Sequence, residues 1–81
     1  MIESKIRIIL GEHGRLAKDA AGLAATDDLY QAGMTSHASV NVMLALEDAF
    51  DIEFPDRMLK RSVFESIASI RSAIDELTAC R

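Results

Sequence analysis

Residues 13 to 35 run for about twenty residues without a helical stripe, between two stretches that have one; a connection that long is uncommon in a small domain. In a chain of 81 residues such a segment is expected to be pinned across the bundle its neighbours form. It holds three small apolar pieces suited to that, Leu16, Leu23 and the Leu29-Tyr30 pair. Thr26-Asp27-Asp28-Leu29-Tyr30 reads as a capped single turn, and Gly33 supplies backbone freedom for a sharp approach to the next element. The connection is thus built to deliver Thr35-Ser36-His37-Ala38 to a fixed place on the surface.

The flanking stretches are helical by periodicity. Over residues 2 to 12, Ile2, Ile6, Ile9 and Leu10 share a face, with Glu3, Lys5, Arg7 and Glu12 mostly elsewhere. Gly11 and Gly14 are expected to stop this helix, leaving His13 solvated at its end. The spacing predicts a second helix over residues 36 to 50. At about 100° per residue its core stripe is Ser39, Val42, Met43, Leu46 and Phe50. His37, Val40, Asn41, Leu44, Glu47 and Asp48 lie nearly opposite. Val40 and Leu44 are apolar where a simple amphipathic helix would be polar. Either another part of the chain covers them or, as is expected here, they meet a partner with Thr35, His37, Asn41, Glu47 and Asp48.

Pro55 breaks this helix and can begin another, so 56 to 61 is expected to be a short helix with Met58 and Leu59 inward. Arg57, Lys60 and Arg61 read as a solvated basic face. Ser62-Val63-Phe64-Glu65 matches a capping box, with Ser66 a second possible cap. Ile67, Ile70, Ile74 and Leu77 then form a last stripe. The fold class is all-α, a small four-helix bundle with three main helices, a short third helix and a long first loop. One domain over residues 1 to 81 is expected.

Composition agrees with this architecture. Hydrophobic residues make up 49% of the chain and aromatic residues only 5%, with no Trp, so the core is aliphatic. No apolar run reaches transmembrane length, and the first residues lack the order of a signal peptide, so a cytoplasmic protein is expected. Cys80, with no second cysteine to pair with, fits a reducing compartment and reads as an exposed terminal thiol. Asp19 through Asp56 contains no Lys or Arg, yet holds Asp19, Asp27, Asp28, Glu47, Asp48, Asp51, Glu53 and Asp56. Such a field disfavours nucleic acid and either favours basic protein partners or serves solubility alone. No membrane partner is expected, and the chain is expected to be monomeric.

An enzyme reading fails on inventory. Two His and one Cys offer no metal-ligand spacing, so no metal is expected. Ser36 and His37 are helix neighbours pointing about 100° apart, a poor arrangement for proton transfer. The G-x-S-x-G elbow is absent because Gly33 lies three residues before Ser36. Ser36 reads first as the N-cap of the second helix. A modified serine asks only for exposure and a fixed position, and a helix N-terminus favours a phosphodiester there.

Gly33-Met34-Thr35-Ser36, with the helix running on through Leu46-Glu47-Asp48-Ala49-Phe50-Asp51-Ile52-Glu53-Phe54-Pro55-Asp56, resembles the acyl carrier protein family over essentially the whole chain. The resemblance implies 4′-phosphopantetheine, taken from coenzyme A by a phosphopantetheinyl transferase and attached to Ser36. Fatty-acid carriers typically have Asp-Ser-Leu-Asp or Asp-Ser-Leu-Glu here, where this chain has Thr35-Ser36-His37-Ala38. The segments Asp28 to Val40 and Glu53 to Leu59 are similar instead to stand-alone aminoacyl carrier proteins. That implies a glycyl or alanyl thioester, loaded by an ATP-dependent amino acid:carrier protein ligase related to class II seryl-tRNA synthetases. Two alternatives stand beside it: a carrier for fatty acid, polyketide or nonribosomal peptide synthesis, and a non-covalent acidic docking module with Ser36 only a cap.

Overall fold

The computed structural model describes residues 2–14, 16 and 22–79. Helix α1 spans Ile2–His13, α2 Ser36–Phe50, α3 Arg61–Phe64 and α4 Ile67–Ala79, with a 3₁₀ turn at Asp56–Met58. The described residues contain no strand. Helix α1 packs on both α2 and α4, and α3 packs on α4. The all-α bundle follows from the stripes read above.

The core is one contiguous cluster. Ile6, Ile9 and Leu10 of α1, Val42 and Leu46 of α2, and Ile67, Ile70 and Ile74 of α4 are all buried in it. Ala38 is buried as well, while Met43 and Phe50 are only partly covered, so the inward face of α2 is turned slightly from the expected stripe. A methyl side chain at Ala38 lets neighbouring elements come close to the first turn of α2. Phe54 and Phe64 close the cluster edge-to-face, ring centroids 5.4 Å apart, a favoured aromatic geometry.

Gly11 does not end α1, which runs on to His13. The close approach is at Gly14, whose amide donates to the Leu10 carbonyl at 2.8 Å and where a Cβ would lie 2.7 Å from that oxygen. Helix α2 ends on Asp51 at φ 52°, in the left-handed region that Asp tolerates better than most residues. The Ile52 amide donates back to the Glu47 carbonyl and the Phe54 amide to Glu47 Oε2.

The short-helix region departs from expectation. Only Met58 of the Met58-Leu59 pair is buried; Leu59 is exposed, because the 3₁₀ turn stops at Met58 and turns Leu59 outward. Ser62 makes no cap bond among the described residues: it lies inside α3, whose N-cap Lys60 makes no side-chain cap bond. The cap works one step later. Ser66 Oγ accepts from the Ser69 amide at 3.1 Å, and Ser69 Oγ accepts from the Ser66 amide at 3.2 Å. This reciprocal pair starts α4 in the manner of a capping box, with serine in the place of glutamate.

The long connection is pinned as its apolar residues suggest, and stitched by hydrogen bonds as well. Leu29 is fully buried and Leu23 nearly so, with Leu16 and Tyr30 packed against the cluster. The Leu29 amide donates to the Glu65 carbonyl at 2.6 Å, and the Ala68 amide to the Ala25 carbonyl at 2.9 Å. Arg7 Nη1 donates to the Leu23 carbonyl at 2.6 Å. The segment before α2 is thereby tied to α1 and to the junction of α3 with α4. Asp19 and Cys80, which entered the sequence reading, lie outside the described residues.

Candidate functional site

The approach to Ser36 is built from a turn with its own side-chain acceptors. Asp28 Oδ1 accepts from the Tyr30 amide at 2.9 Å, and Asp27 Oδ2 from the Ala24 amide at 2.9 Å. Gly33 takes φ 118°, a conformation that L side chains rarely adopt. Met34 then drops into the core and its amide donates to the Leu29 carbonyl at 3.0 Å. These contacts fix the residue that follows.

That residue, Thr35, is the N-cap of α2, and Ser36 is not. Thr35 is extended (φ −85°, ψ 166°) and its Oγ1 accepts from the Ala38 amide at 3.0 Å. Ser36 is the first helical residue. Thr and Ser both suit a cap, and Gly33 with buried Met34 places the chain so that Thr35 reaches the first-turn amide. Ser36 is exposed and its hydroxyl makes no hydrogen bond among the described residues, while its carbonyl accepts from Ser39 Oγ at 2.7 Å. The α2 N-terminus carries no acidic residue in its first turn, so no carboxylate of that turn offsets its positive dipole end beside Ser36.

The other residues named in the sequence reading spread along α2. Val40 and Leu44 are 49% and 53% exposed, one turn apart, and His37 and Asp48 are exposed too. Asn41 is half-buried. Glu47 is half-buried as well and is held by the Phe54 amide, so one carboxylate oxygen serves the exit from α2.

Beside Ser36 lies a groove of about 380 Å³. One wall is α2, with Ser36, Val40 and Met43; the other is the segment 59–64, including Lys60, Arg61 and Phe64; Tyr30 completes it. The guanidinium of Arg61 sits 4.1 Å from the centre of the Tyr30 ring, a cation–π contact. Among the described residues no acidic side chain lines the groove. The sequence reading did not bring Tyr30, Lys60, Arg61 or Phe64 to Ser36. The run Arg57-Met58-Leu59-Lys60-Arg61 has the look of a solvated basic face, and only the fold shows that 59–64 borders the same groove as α2.

An exposed, uncommitted hydroxyl at the positive end of a helix, beside an open groove with no carboxylate among its described lining residues, suits attachment of a flexible phosphodiester-linked group. Among the described residues the His37 ring has no hydrogen bond or ion pair.

A phosphopantetheine attachment site profile matches residues 8–77. An aminoacyl carrier protein of Agrobacterium fabrum is 45% identical over 73 residues, covering 90% of this chain and 88% of the relative. The crystal structure of a carrier protein from Agrobacterium tumefaciens, complexed with an engineered Bradyrhizobium japonicum glycine:carrier protein ligase and ATP, superposes with TM-score 0.92. It is 43% identical and the match covers 95% of this chain and all of that one. The holo acyl carrier protein of Nitrosomonas europaea superposes with TM-score 0.81 at 28% identity, over 99% of this chain and 96% of the other. No described helix is long and apolar enough to cross a membrane. The chain belongs to the phosphopantetheine attachment family, carriers of a covalently bound phosphopantetheine, and is a homologue of the aminoacyl carrier proteins.

Proposed function

We propose that Ser36 is the attachment residue, that its arm carries an aminoacyl group, and that an ATP-dependent amino acid:carrier protein ligase loads it. The observation that carries this reading is the division of labour at the start of α2. Thr35 does the capping, so Ser36 Oγ is free to attack the pyrophosphate of coenzyme A on a Mg²⁺-dependent transferase, taking the phosphopantetheinyl group and releasing adenosine 3′,5′-bisphosphate and a proton. When bound, the group supplies a terminal thiol that holds the cargo as a thioester.

The chain's own part is presentation. The helix dipole favours the phosphodiester, the stitched connection holds Ser36 in place, and Val40 and Leu44 offer apolar surface to the ligase. Thr35, His37, Asn41 and Asp48 border that surface, and Glu47 adds its remaining acceptor capacity. Glycine is favoured as cargo by the ligase seated on the similar Agrobacterium tumefaciens carrier, with alanine the alternative small amino acid. The 81 residues act as one monomeric, non-catalytic carrier domain, and use of coenzyme A and ATP puts its work in the cytoplasm.

Intact-mass measurement after incubation with coenzyme A and a broad-specificity transferase is expected to show one phosphopantetheine on the wild type and none on Ser36→Ala. Holo-protein, ATP and single amino acids given to the ligase are then expected to yield a thioester. Loading only by fatty acyl enzymes would overturn the aminoacyl assignment.

A further inference from the structure

The chain is acidic, with net charge −4, and most of its described arginines face carboxylates. Arg7 reaches Glu3, Arg71 reaches Glu3 and Asp75, and Arg57 Nη1 lies 3.0 Å from Glu76 Oε2. Lys60 and Arg61 do not: among the described residues neither has a carboxylate within ion-pair distance. These two cations line the groove that Ser36 also lines, and among the described residues no acidic side chain shares it. Arg61 is further held in place by the Tyr30 ring at 4.1 Å, and Tyr30 belongs to the turn that delivers Ser36. In a protein with an excess of acids, two neighbouring cations left without one are complementary to an anion from elsewhere.

We infer that Lys60 and Arg61 form a basic clasp for the phosphodiester that joins the arm to Ser36, with Tyr30 bracing Arg61, so that the root of the arm lies in the groove between α2 and segment 59–64. The inference rests on Ser36 as the attachment residue. A phosphodiester carries one negative charge and acceptor oxygens, and guanidinium and ammonium groups donate to such oxygens in charge-assisted hydrogen bonds. Lys60 and Arg61 are positioning residues here: they touch the linkage and not the reacting thioester. The same positive rim repels the α-ammonium of an aminoacyl cargo. The root of the arm is therefore drawn in while the loaded end is kept out of the groove, where a ligase or acceptor enzyme can reach it.

The test is nuclear magnetic resonance on the apo and holo proteins, after intact mass has confirmed the modification and peptide mapping has located it. Conversion to holo is expected to shift the amide signals of Tyr30, Lys60 and Arg61 as well as those around Ser36. In the wild type the shifts at Lys60 and Arg61 are expected to shrink at least threefold as salt rises from about 0.01 M to about 1 M, over which the screening length falls from about 30 Å to about 3 Å. The variant Lys60→Gln/Arg61→Gln is expected to lose the shift at Tyr30 and to move the phosphorus resonance of the arm. Arg57→Gln, whose partner is Glu76, is expected to keep both wild-type signatures. Modification at Ser36 with shifts confined to residues 35–40, or shifts at 59–61 that ignore salt, would overturn the clasp and leave the carrier reading intact. Absence of any modification at Ser36 would overturn both.

Discussion

Helices α2 and α4 both begin beside serines, and the molecule uses those serines in opposite ways. At α4, Ser66 and Ser69 bind each other's amides, and Ser69 Oγ also donates to the Val63 carbonyl at 2.8 Å. At α2, Thr35 takes the capping role and Ser36 keeps an exposed hydroxyl with no bond among the described residues. A serine at a helix start is therefore uninformative until its neighbour's role is known. The two starts are also joined: the Leu29 amide, one turn before Gly33, donates to the Glu65 carbonyl just ahead of Ser66.

That join gives the largest expected effect. Leu29→Ala removes a fully buried side chain from the piece that ties both starts together, and should cost about 2–5 kcal/mol in urea unfolding. A cost below about 1 kcal/mol would mean the connection is held by its hydrogen bonds alone. Next come the caps themselves. Thr35→Ala and Ser66→Ala should each cost about 1 kcal/mol, whereas Ser36→Ala should stay within about 0.5 kcal/mol of wild type. If Ser36→Ala proves as costly as Thr35→Ala, the two helix starts are not different in kind. Ser62→Ala, inside α3 and exposed, should also be within about 0.5 kcal/mol.

A stability effect just as small is expected outside both starts. Leu44 is 53% exposed, so Leu44→Asp should unfold within about 0.5 kcal/mol of wild type while weakening the ligase complex, read by calorimetric titration of the holo-protein. Unfolding of that variant would instead make Leu44 part of the core.

The helices were legible because aliphatic side chains at helical spacing must find a common core, and Ile6, Leu10, Val42, Leu46, Ile70 and Ile74 all do. The pinning of the connection was legible in Leu23 and Leu29 for the same reason. Caps were harder to read. Thr35 and Ser36 stand next to each other with the same capping chemistry, and only the backbone angles set by Gly33 and Met34 decide between them. Likewise Ser62 and Ser66 both precede apolar runs, and the interruption between α3 and α4 leaves no periodic mark. The groove was the least legible part, since Lys60, Arg61 and Tyr30 are distant in sequence from most of the α2 residues that line it with them.

The central claim, that the uncapped hydroxyl of Ser36 is the one put to use, is tested most directly by mapping where coenzyme A leaves its phosphopantetheine. After treatment with a broad-specificity transferase, proteolysis and fragment-ion mass spectrometry are expected to place the whole addition on Ser36, with none on Thr35, Ser39 or Ser66. Addition to any of those residues, or undiminished addition to Ser36→Ala, would contradict it.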